Sequence, residues 1–281
     1  MHTALRDIVT EIRSLEPFPA VASRVLQIGM GPEVLPNDLI ALIQVDPGLT
    51  GKILKLCNSA YYGFQREIGS LMEAGNLLGG QTLVSLVMTS ATSRYFREMG
   101  GADDGSNSHL WNMSVTTALA SRLIARLHGG VDEERAYTAG LLQNIGHLVL
   151  DRFLDREQDR ILEKIDEGFS VLGAEKSVLG LNHAEIGARL ATRWDLPEVL
   201  VDTIRFHHSP QHAKIDPMLC FTAHLAESLA WSVNTREGIS KVPPQVSITA
   251  LNATGLDEGC FHGMDVKLRE ELAKAKAFLG G

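Results

Sequence analysis

Apolar residues recur at helical spacing along almost the whole chain, and no convincing period-2 alternation of apolar and polar residues is present. This pattern is typical of an all-α protein. Helices are expected at about 3–15, 20–30, 37–44, 81–99, 109–128, 132–150, 155–167, 170–180, 183–194, 197–208 and 216–234. Further helices are expected in LTGKILKLCNSA, SITALNATG and DVKLREELAKAKAFL.

Two local signals mark where helices should begin. Asp46 before Pro47 offers a side-chain cap followed by a proline at the first helical position. Asn182 lies three residues before Glu185 and resembles a capping box, in which each side chain accepts a backbone N–H from the other residue. We therefore expect one helix to start at Pro47 and another just after Asn182.

The segment GGADDGSNS at residues 100–108 is the clearest linker in the chain, with three glycines, two aspartates and two serines. It places a lobe boundary near residue 105. The sequence thus predicts a two-lobed helical bundle, with an N-terminal lobe at 1–105 and a second lobe at 106–281. In the second lobe, the residues after about 238 would form a C-terminal helical extension.

Composition narrows the class of protein further. The chain has 281 residues, 44% of them hydrophobic, which suits an ordinary globular core. Its formal net charge of -8 and the lack of a long Lys or Arg block argue against nucleic acid or anionic lipid as a partner. No apolar run approaches the roughly 20 residues of a membrane-spanning helix, and the N-terminus is not signal-like. We expect a cytoplasmic protein.

The cysteines offer little chemistry. Cys57, Cys220 and Cys260 are far apart and form no CxxC pair. Neither a disulfide framework nor a zinc-thiolate site is therefore indicated, and ordinary buried or surface thiols are expected.

Two stretches carry a family resemblance. The first runs from FPAVASRVLQIG through DPGLTGKILKLCNSAYYGF to EAGNLLGGQTLVSLVM, and the second comprises LWNMSVTTALASRLIA, AYTAGLLQNIGHLVL and NHAEIGARLATRWDLPEVLVDTIRFHH. In this order, over about 16–209, the chain resembles the HDOD family of bacterial signalling domains, which are related to HD phosphohydrolases. The resemblance implies an HD-like second lobe and a role in a bacterial regulatory pathway. Since no receiver or cyclase domain is recognised here, the signalling partner is expected to be a separate protein.

The resemblance also implies where a catalytic site would lie. In catalytic HD relatives, histidines and aspartates from separate helices hold one or two divalent metals that activate water. The first histidine of that set falls at Met113, the paired His-Asp at Gln143 and Asn144, and the final aspartate at Glu227. A thioether and neutral amides are poor replacements, because they do not offset the charge of a hard cation. We therefore expect no metal, no cofactor and no hydrolysis.

The amides also have a structural interpretation, since buried Gln143 and Asn144 can cross-link helices by hydrogen bonds. His147, three residues after Asn144, falls where such enzymes often have lysine, but a histidine near a helix end can be purely structural. The YYGF turn at 61–64 is either an exposed partner-binding site or a segment tucked between the lobes.

Five further polar residues are candidates for metal binding or catalysis. His224 and Glu227 are three apart, so they share a helix face that is compatible with a joint metal site. His207 and His208 are adjacent and about 100° apart on a helix, which argues against both binding one ion. His183 occupies a motif position of the family, yet it is equally explained as a residue at a helix start.

The preferred hypothesis is a non-enzymatic signalling module that binds another protein or a small ligand through its surface or a degenerate HD pocket. The main alternative is a divergent metal-dependent phosphohydrolase that uses His183, His207 or His208, and Glu227. A third is a pseudoenzyme sensor, whose old active-site cavity binds a nucleotide without turnover.

Overall fold

The computed structural model describes residues 3–31, 33–98, 106–234 and 242–275, and these ranges contain helices but no strand. The all-α prediction is confirmed. The N-terminal lobe consists of α1 (Thr3–Ser14), α2 (Ala20–Gly29), α3 (Pro36–Ile43), α4 (Pro47–Cys57), α5 (Leu71–Leu78) and α6 (Gly80–Glu98).

The C-terminal lobe begins with the longest helix described, α7. Its helices are α7 (Ser106–His128), α8 (Glu133–Leu142), α9 (His147–Asp166), α10 (Val171–Leu179), α11 (His183–Arg193), α12 (Glu198–Phe206), α13 (Pro217–Val233), α14 (Ile248–Thr254), α15 (Glu258–His262) and α16 (Met264–Lys274). A 3-10 turn at Pro210–His212 joins α12 to α13. None of the described helices is both long and apolar enough to cross a lipid bilayer.

Both predicted helix starts are confirmed. The Asp46 side chain accepts the Leu49 N–H at 3.0 Å, and Pro47 occupies the first helical position of α4. Asn182 and Glu185 form the reciprocal capping box at the start of α11. Caps of this kind stabilise a helix by about 1 kcal/mol each.

The helix predicted at 132–150 is wrong in one respect. The chain leaves the helix after Leu142 and starts α9 at His147, and α9 then continues through the segment predicted as a separate helix at 155–167. The turn at 143–146 packs against the start of α11 so closely that a Cβ on Gly146 would lie 1.9 Å from the His183 carbonyl oxygen. The two amides therefore lie in a turn at the contact with α11 and not at the centre of a helix.

One continuous hydrophobic core runs through both lobes. At their junction Trp194 packs against Phe18 and Tyr95, with ring centroids 5.2 and 4.9 Å away. The Trp194 indole N–H also donates to the Glu16 carbonyl oxygen at 3.1 Å. The predicted boundary between residues 105 and 106 falls at an edge of the segment 99–105, which lies outside the described residues, and stays a prediction.

The YYGF turn packs between the lobes, as the second of the two alternatives expects. Arg122 of α7 is buried and donates to the Tyr61 hydroxyl at 2.7 Å and to Glu134 Oε2 at 2.6 Å. Its guanidinium also lies 4.1 Å from the centre of the Tyr137 ring. The part-buried ion pair joins α7 to α8 within the second lobe, and the hydrogen bond to Tyr61 ties the aromatic turn of the first lobe to both.

The cysteines have the two environments that the sequence allowed. Cys57 and Cys220 are buried, whereas Cys260 is exposed. Burial raises the pKa of the Cys57 thiol to about 11, so it is protonated and unreactive at neutral pH.

Candidate functional site

A cavity of about 820 Å³ lies in the C-terminal lobe, between α7, α9, α10, α11 and α13. Its walls are largely apolar and include Leu110, Leu150, Phe169 and Trp231. Imidazole and carboxyl groups also line it, and they come from five different helices and the turn after α12. A concave apolar site with a few convergent polar groups is the usual form of a ligand pocket.

His183 lies at this pocket because the capping box starts α11 at that residue. Its Nδ1 is 2.9 Å from Glu175 Oε2, and its backbone N–H donates to the same oxygen at 2.9 Å. Both side chains are almost fully buried, at 3% and 0% exposure. Glu175 thus fixes the ring so that Nε2 faces the cavity. Burial lowers the pKa of His183 well below its usual value.

His207 and His208 follow directly on the end of α12, where the chain leaves the helix. His207 Nδ1 lies 2.7 Å from the Ile204 carbonyl oxygen, while its fully buried Nε2 has no hydrogen-bond partner among the described residues. His208 Nε2 lies 2.8 Å from His183 Nε2. Burial lowers the pKa of both rings well below the ordinary value. All three imidazoles are therefore neutral at physiological pH.

The expectation that His207 and His208 point apart is wrong. Their ring centroids are 4.2 Å apart, and His183, His207 and His208 each offer one ring nitrogen within 4.8 Å of the others. The 100° separation applies inside a regular helix. It fails here because α12 ends at Phe206 and the next two residues form a turn.

His224 and Glu227 both line the pocket from α13, but they do not form a joint metal site. His224 Nδ1 lies 2.7 Å from the His207 carbonyl oxygen, and its Nε2 accepts the Ser247 N–H at 3.1 Å, so both ring nitrogens are engaged. Glu227 Oε2 lies 3.5 Å from His208 Nδ1. His224 consequently holds the turn after α12 in place, while Glu227 faces the imidazole cluster.

Two of the three substituted positions reach this pocket. Met113 and Asn144 line the cavity, and Gln143 is fully buried beside it. Neither side-chain atom of Gln143 has a hydrogen-bond partner in the described part of the chain, and Asn144 Oδ1 has none either. The hydrogen-bonded cross-link expected of the amides is therefore not formed by Gln143.

His147 opens α9 and adds a positive charge. Its ring stacks on His183 with centroids 4.5 Å apart, and its Nδ1 lies 3.2 Å from Asp151 Oδ1. Burial lowers the pKa of His147, but the hydrogen bond to Asp151 and the charge of its carboxylate outweigh this and raise the pKa to about 9. Among the described residues that line the cavity there is no lysine or arginine, whereas Asp151, Glu175 and Glu227 are acidic.

Sequence reasoning missed Glu175 and Asp151. Glu175 carried a usable signal, because it shares the apolar face of α10 with Val178 and Leu179 and all three are buried. A carboxyl group at a core position needs a partner. The partner, His183, comes from the next helix and could not be named from local spacing.

The residues present fit one metal ion and not two. Three neutral imidazoles suit a divalent transition metal, and His207 Nε2 is a buried donor atom that has no hydrogen-bond partner in the described part of the chain. At the positions where the resemblance implies the further ligands of a second ion, the chain has Gln143, Asn144 and Met113. The donor set for a dinuclear centre is therefore incomplete.

This helical architecture, with a histidine-rich pocket in the second lobe, defines an all-α protein of the HD-like class. The HDOD domain profile matches residues 15–210, and the chain belongs to the HDOD family. It is 30% identical over 206 residues to an uncharacterized protein from Treponema pallidum (strain Nichols), a match that covers 71% of this chain. The chain spans only 39% of the length of that relative.

Solved structures agree on the fold. A crystal structure of an HDOD domain protein of unknown function from Geobacter sulfurreducens aligns with a TM-score of 0.78 and 25% identity, covering 99% of this chain and 98% of that one. A protein from Shewanella amazonensis SB2B, named as a candidate phosphohydrolase, aligns at 0.69 with 24% identity over 99% and 97% of the two chains. A candidate signal transduction protein from Marinobacter aquaeolei VT8 aligns at 0.73 with 20% identity over 99% and 65%.

Proposed function

We propose that this protein is a signal-transduction module of the HDOD type, which acts by binding a separate signalling protein or a small ligand and does not hydrolyse phosphodiesters. One observation carries the proposal. Where the family resemblance places the paired His-Asp and the first histidine, the chain has Gln143, Asn144 and Met113, and the last two line the pocket.

The chemistry of the substituted groups explains why hydrolysis is not expected. Two-metal hydrolysis places a pair of cations about 3.5–4 Å apart and needs ligands that offset their charge. Amide oxygens are neutral, and a thioether is a soft donor. A water molecule at this end of the pocket is therefore not ionised near neutral pH.

A nucleotide is one small ligand to consider, since about 820 Å³ is large enough for it. The charges of the pocket do not favour that choice. The cationic side chain of His147 faces three carboxyl groups, so the pocket does not attract an anion. Phosphate recognition normally uses Arg, Lys or backbone N–H groups at a helix start. The binding of a partner protein is consequently the form of the proposal that we prefer.

The cluster of His183, His207 and His208 favours a second candidate, a metal-dependent phosphohydrolase with a reduced ligand set. It requires that metal-loaded protein turn over a phosphodiester, and that turnover disappear when the imidazoles are removed. The signalling candidate requires that the metal-loaded protein does not turn over a phosphodiester.

A hydrolysis assay separates the two. Protein reloaded with Mn, Fe, Ni or Mg is incubated with bis(p-nitrophenyl) phosphate and with cyclic dinucleotides, beside the His183→Ala/His208→Ala variant as the matched control. We expect equal, background rates in both. Metal-dependent turnover in the parent that the variant lacks would establish the second candidate.

A variant that restores the paired His-Asp provides a positive control for metal binding. Gln143→His/Asn144→Asp should gain metal content but recover hydrolysis only in part, because Met113 still lacks an imidazole. Inductively coupled plasma mass spectrometry of both proteins, purified without chelator, measures this gain. Equal metal content in parent and variant would count against the role assigned to the two amides.

A further inference from the structure

We propose that the pocket of the second lobe binds an organic cation, a protonated amine on an apolar body, through Glu227 and Asn144. A free small amine and the lysine side chain of a partner protein present this same chemistry. The inference rests on the proposed function in one respect: the pocket binds the group and does not turn it over.

The charges of the pocket leave one carboxylate without a cation at hydrogen-bond distance. Asp151 Oδ1 lies 3.2 Å from Nδ1 of His147, the cationic side chain of the pocket. Glu175 Oε2 lies 2.9 Å from both the backbone nitrogen and Nδ1 of His183. Neither arrangement involves Glu227 of α13. Glu227 is therefore the acid that is left over.

Glu227 is too buried to be served by bulk water. The residue is 7% exposed, and its Oε2 has no hydrogen-bond partner among the described residues. His208 Nδ1 is 3.5 Å away, and burial lowers the pKa of that ring well below its usual value, so the ring is neutral near pH 7. A buried carboxylate is costly unless a cation and hydrogen-bond donors offset its charge. The carboxylate of Glu227 therefore favours a cationic ligand.

Asn144 provides a second, independent acceptor. It is 4% exposed and lines the same cavity, and its Oδ1 has no hydrogen-bond partner in the described part of the chain. It belongs to the turn after α8, whereas Glu227 belongs to α13. A primary ammonium group carries three N–H donors and no acceptor, which suits a place where oxygens lack donors.

The apolar lining begins about one helical turn from the acidic groups. On α13, Trp231 lines the cavity four residues after Glu227, and on α10, Leu172 lines it three residues before Glu175. Leu154 lies three residues after Asp151 on α9. One turn corresponds to about 5.4 Å, which is a few bonds along an alkyl chain. The ligand that fits therefore carries its charge at one end of an apolar body.

The described lining residues do not supply this cation themselves, because they include neither lysine nor arginine. The cavity of about 820 Å³ exceeds the volume of a single ion or water molecule and falls in the range of small-molecule sites. The rival arrangement is an ordered water molecule that donates to the unpaired oxygens. A second rival is a cation from a part of the chain outside the described residues. Either rival leaves an added amine without an advantage over a neutral analogue.

The test is isothermal titration calorimetry of the full chain, purified without chelator, with phenethylammonium. Phenethyl alcohol and hydrocinnamate are the matched neutral and anionic probes, and methylammonium lacks the apolar body. We expect phenethylammonium to bind at least about tenfold more tightly than the alcohol, because hydrogen bonds between charged groups are the stronger ones. Methylammonium should bind at least about tenfold more weakly than phenethylammonium, since it buries little apolar surface. Hydrocinnamate should give no binding heat.

Three variants place the cation at the proposed residues. Glu227→Gln keeps the size of the side chain and removes its charge, so it should lower amine affinity by at least about tenfold and leave the alcohol within about threefold. Asn144→Leu removes one neutral acceptor and should cost the amine about 2–10-fold. Glu163→Gln makes the same charge change at an exposed residue of α9 outside the pocket and should alter neither affinity.

NMR of the wild-type chain keeps the test valid if the variants fail to fold. The side-chain amide signals of Asn144 and the indole N–H of Trp231 should shift with phenethylammonium and follow the calorimetric affinity. Equal affinities for amine and alcohol, or amine binding that leaves these signals in place, would overturn the inference and leave the signalling function standing. Turnover in the phosphodiester assay would remove the proposed function whatever the amine does.

A peptide arm distinguishes the two sources of the amine. Acetyl-Leu-Lys-Leu-amide is titrated beside its Leu-Gln-Leu counterpart. Lysine-dependent binding that competes with phenethylammonium indicates a side chain of a partner protein. Binding of phenethylammonium without binding of the peptide indicates a free amine, and both results support the inference.

Discussion

Gln143 is fully buried, yet neither of its amide atoms has a hydrogen-bond partner among the described residues. Replacing it with methionine keeps the length of the side chain and removes two unpaired polar atoms. We expect Gln143→Met to raise the free energy of unfolding by about 1–2 kcal/mol, since a buried unpaired group costs about that much. Urea denaturation followed by circular dichroism measures the change.

Gln158 provides the matched control for that variant. It lines the rim of the same pocket but is only half-buried. Gln158→Met should therefore stay within about 0.5 kcal/mol of the parent. A loss of stability in Gln143→Met would mean that the amide is satisfied by an ordered water or a ligand, and the residue would then be part of the binding site.

Among single residues, the family resemblance identified more of the pocket-lining positions than the side-chain types and their spacing could have done. It brought Met113, Asn144 and Glu227 to one cavity although they lie far apart in sequence. It did not reveal that His183, His207 and His208 converge, because that depends on a helix end and a neighbouring helix. The expectation of no bound metal, which considered only the lost ligands, stays a prediction that the metal analysis of the chelator-free protein tests.

The turn at 143–146 is the element on which the shape of the pocket depends. Gly146 touches the backbone of α11, where a Cβ would meet the His183 carbonyl oxygen at 1.9 Å and the Gly187 nitrogen at 2.8 Å. No shift of a flexible side chain can relieve these contacts, because the opposing atoms are backbone. Gly146→Ala should therefore cost more than about 3 kcal/mol, beyond an ordinary overpacking penalty of about 1–3 kcal/mol.

Gly51 offers the opposite case on another helix. It lies in the exposed interior of α4, and nothing lies within 4 Å of a Cβ built there. Gly51→Ala should stabilise the protein by roughly 0.5–1 kcal/mol, because alanine restricts the unfolded chain more and suits a helix. Thermal unfolding of the two variants measures both effects. Similar melting temperatures would show that α11 and the turn are not in contact as described.

Element by element, the sequence was most informative where signals are local. The caps at Asp46 and Asn182 involve residues within three positions of each other, and both are confirmed. The break after Leu142 was missed because the apolar period continues in phase through QNIGH. The turn that follows α8 packs against α11 at Gly146, and α11 lies some forty residues later in the chain.

At the scale of the whole molecule, periodicity predicted two helical lobes but not how they meet. The junction is made by Phe18, Tyr95 and Trp194, which come from three distant parts of the chain. Buried Arg122 adds a hydrogen bond to the Tyr61 hydroxyl in the turn of the first lobe. Non-local packing of this kind leaves no trace in spacing, although it joins the lobes into one core.

That shared core predicts one cooperative unfolding transition. All three tryptophans, Trp111, Trp194 and Trp231, come from the second lobe, and Trp194 also contacts the first. Their fluorescence therefore reports the second lobe and the junction, whereas far-UV circular dichroism reports the helices of both lobes. If neither lobe is stable alone, the two signals should change at the same urea concentration with the same slope. Phe18→Ala removes a buried ring on the first-lobe side of the junction and should lower the stability seen by both probes by about 3–5 kcal/mol. A dichroism transition that precedes the fluorescence transition, or a Phe18→Ala effect confined to one probe, would instead show two independently folding lobes.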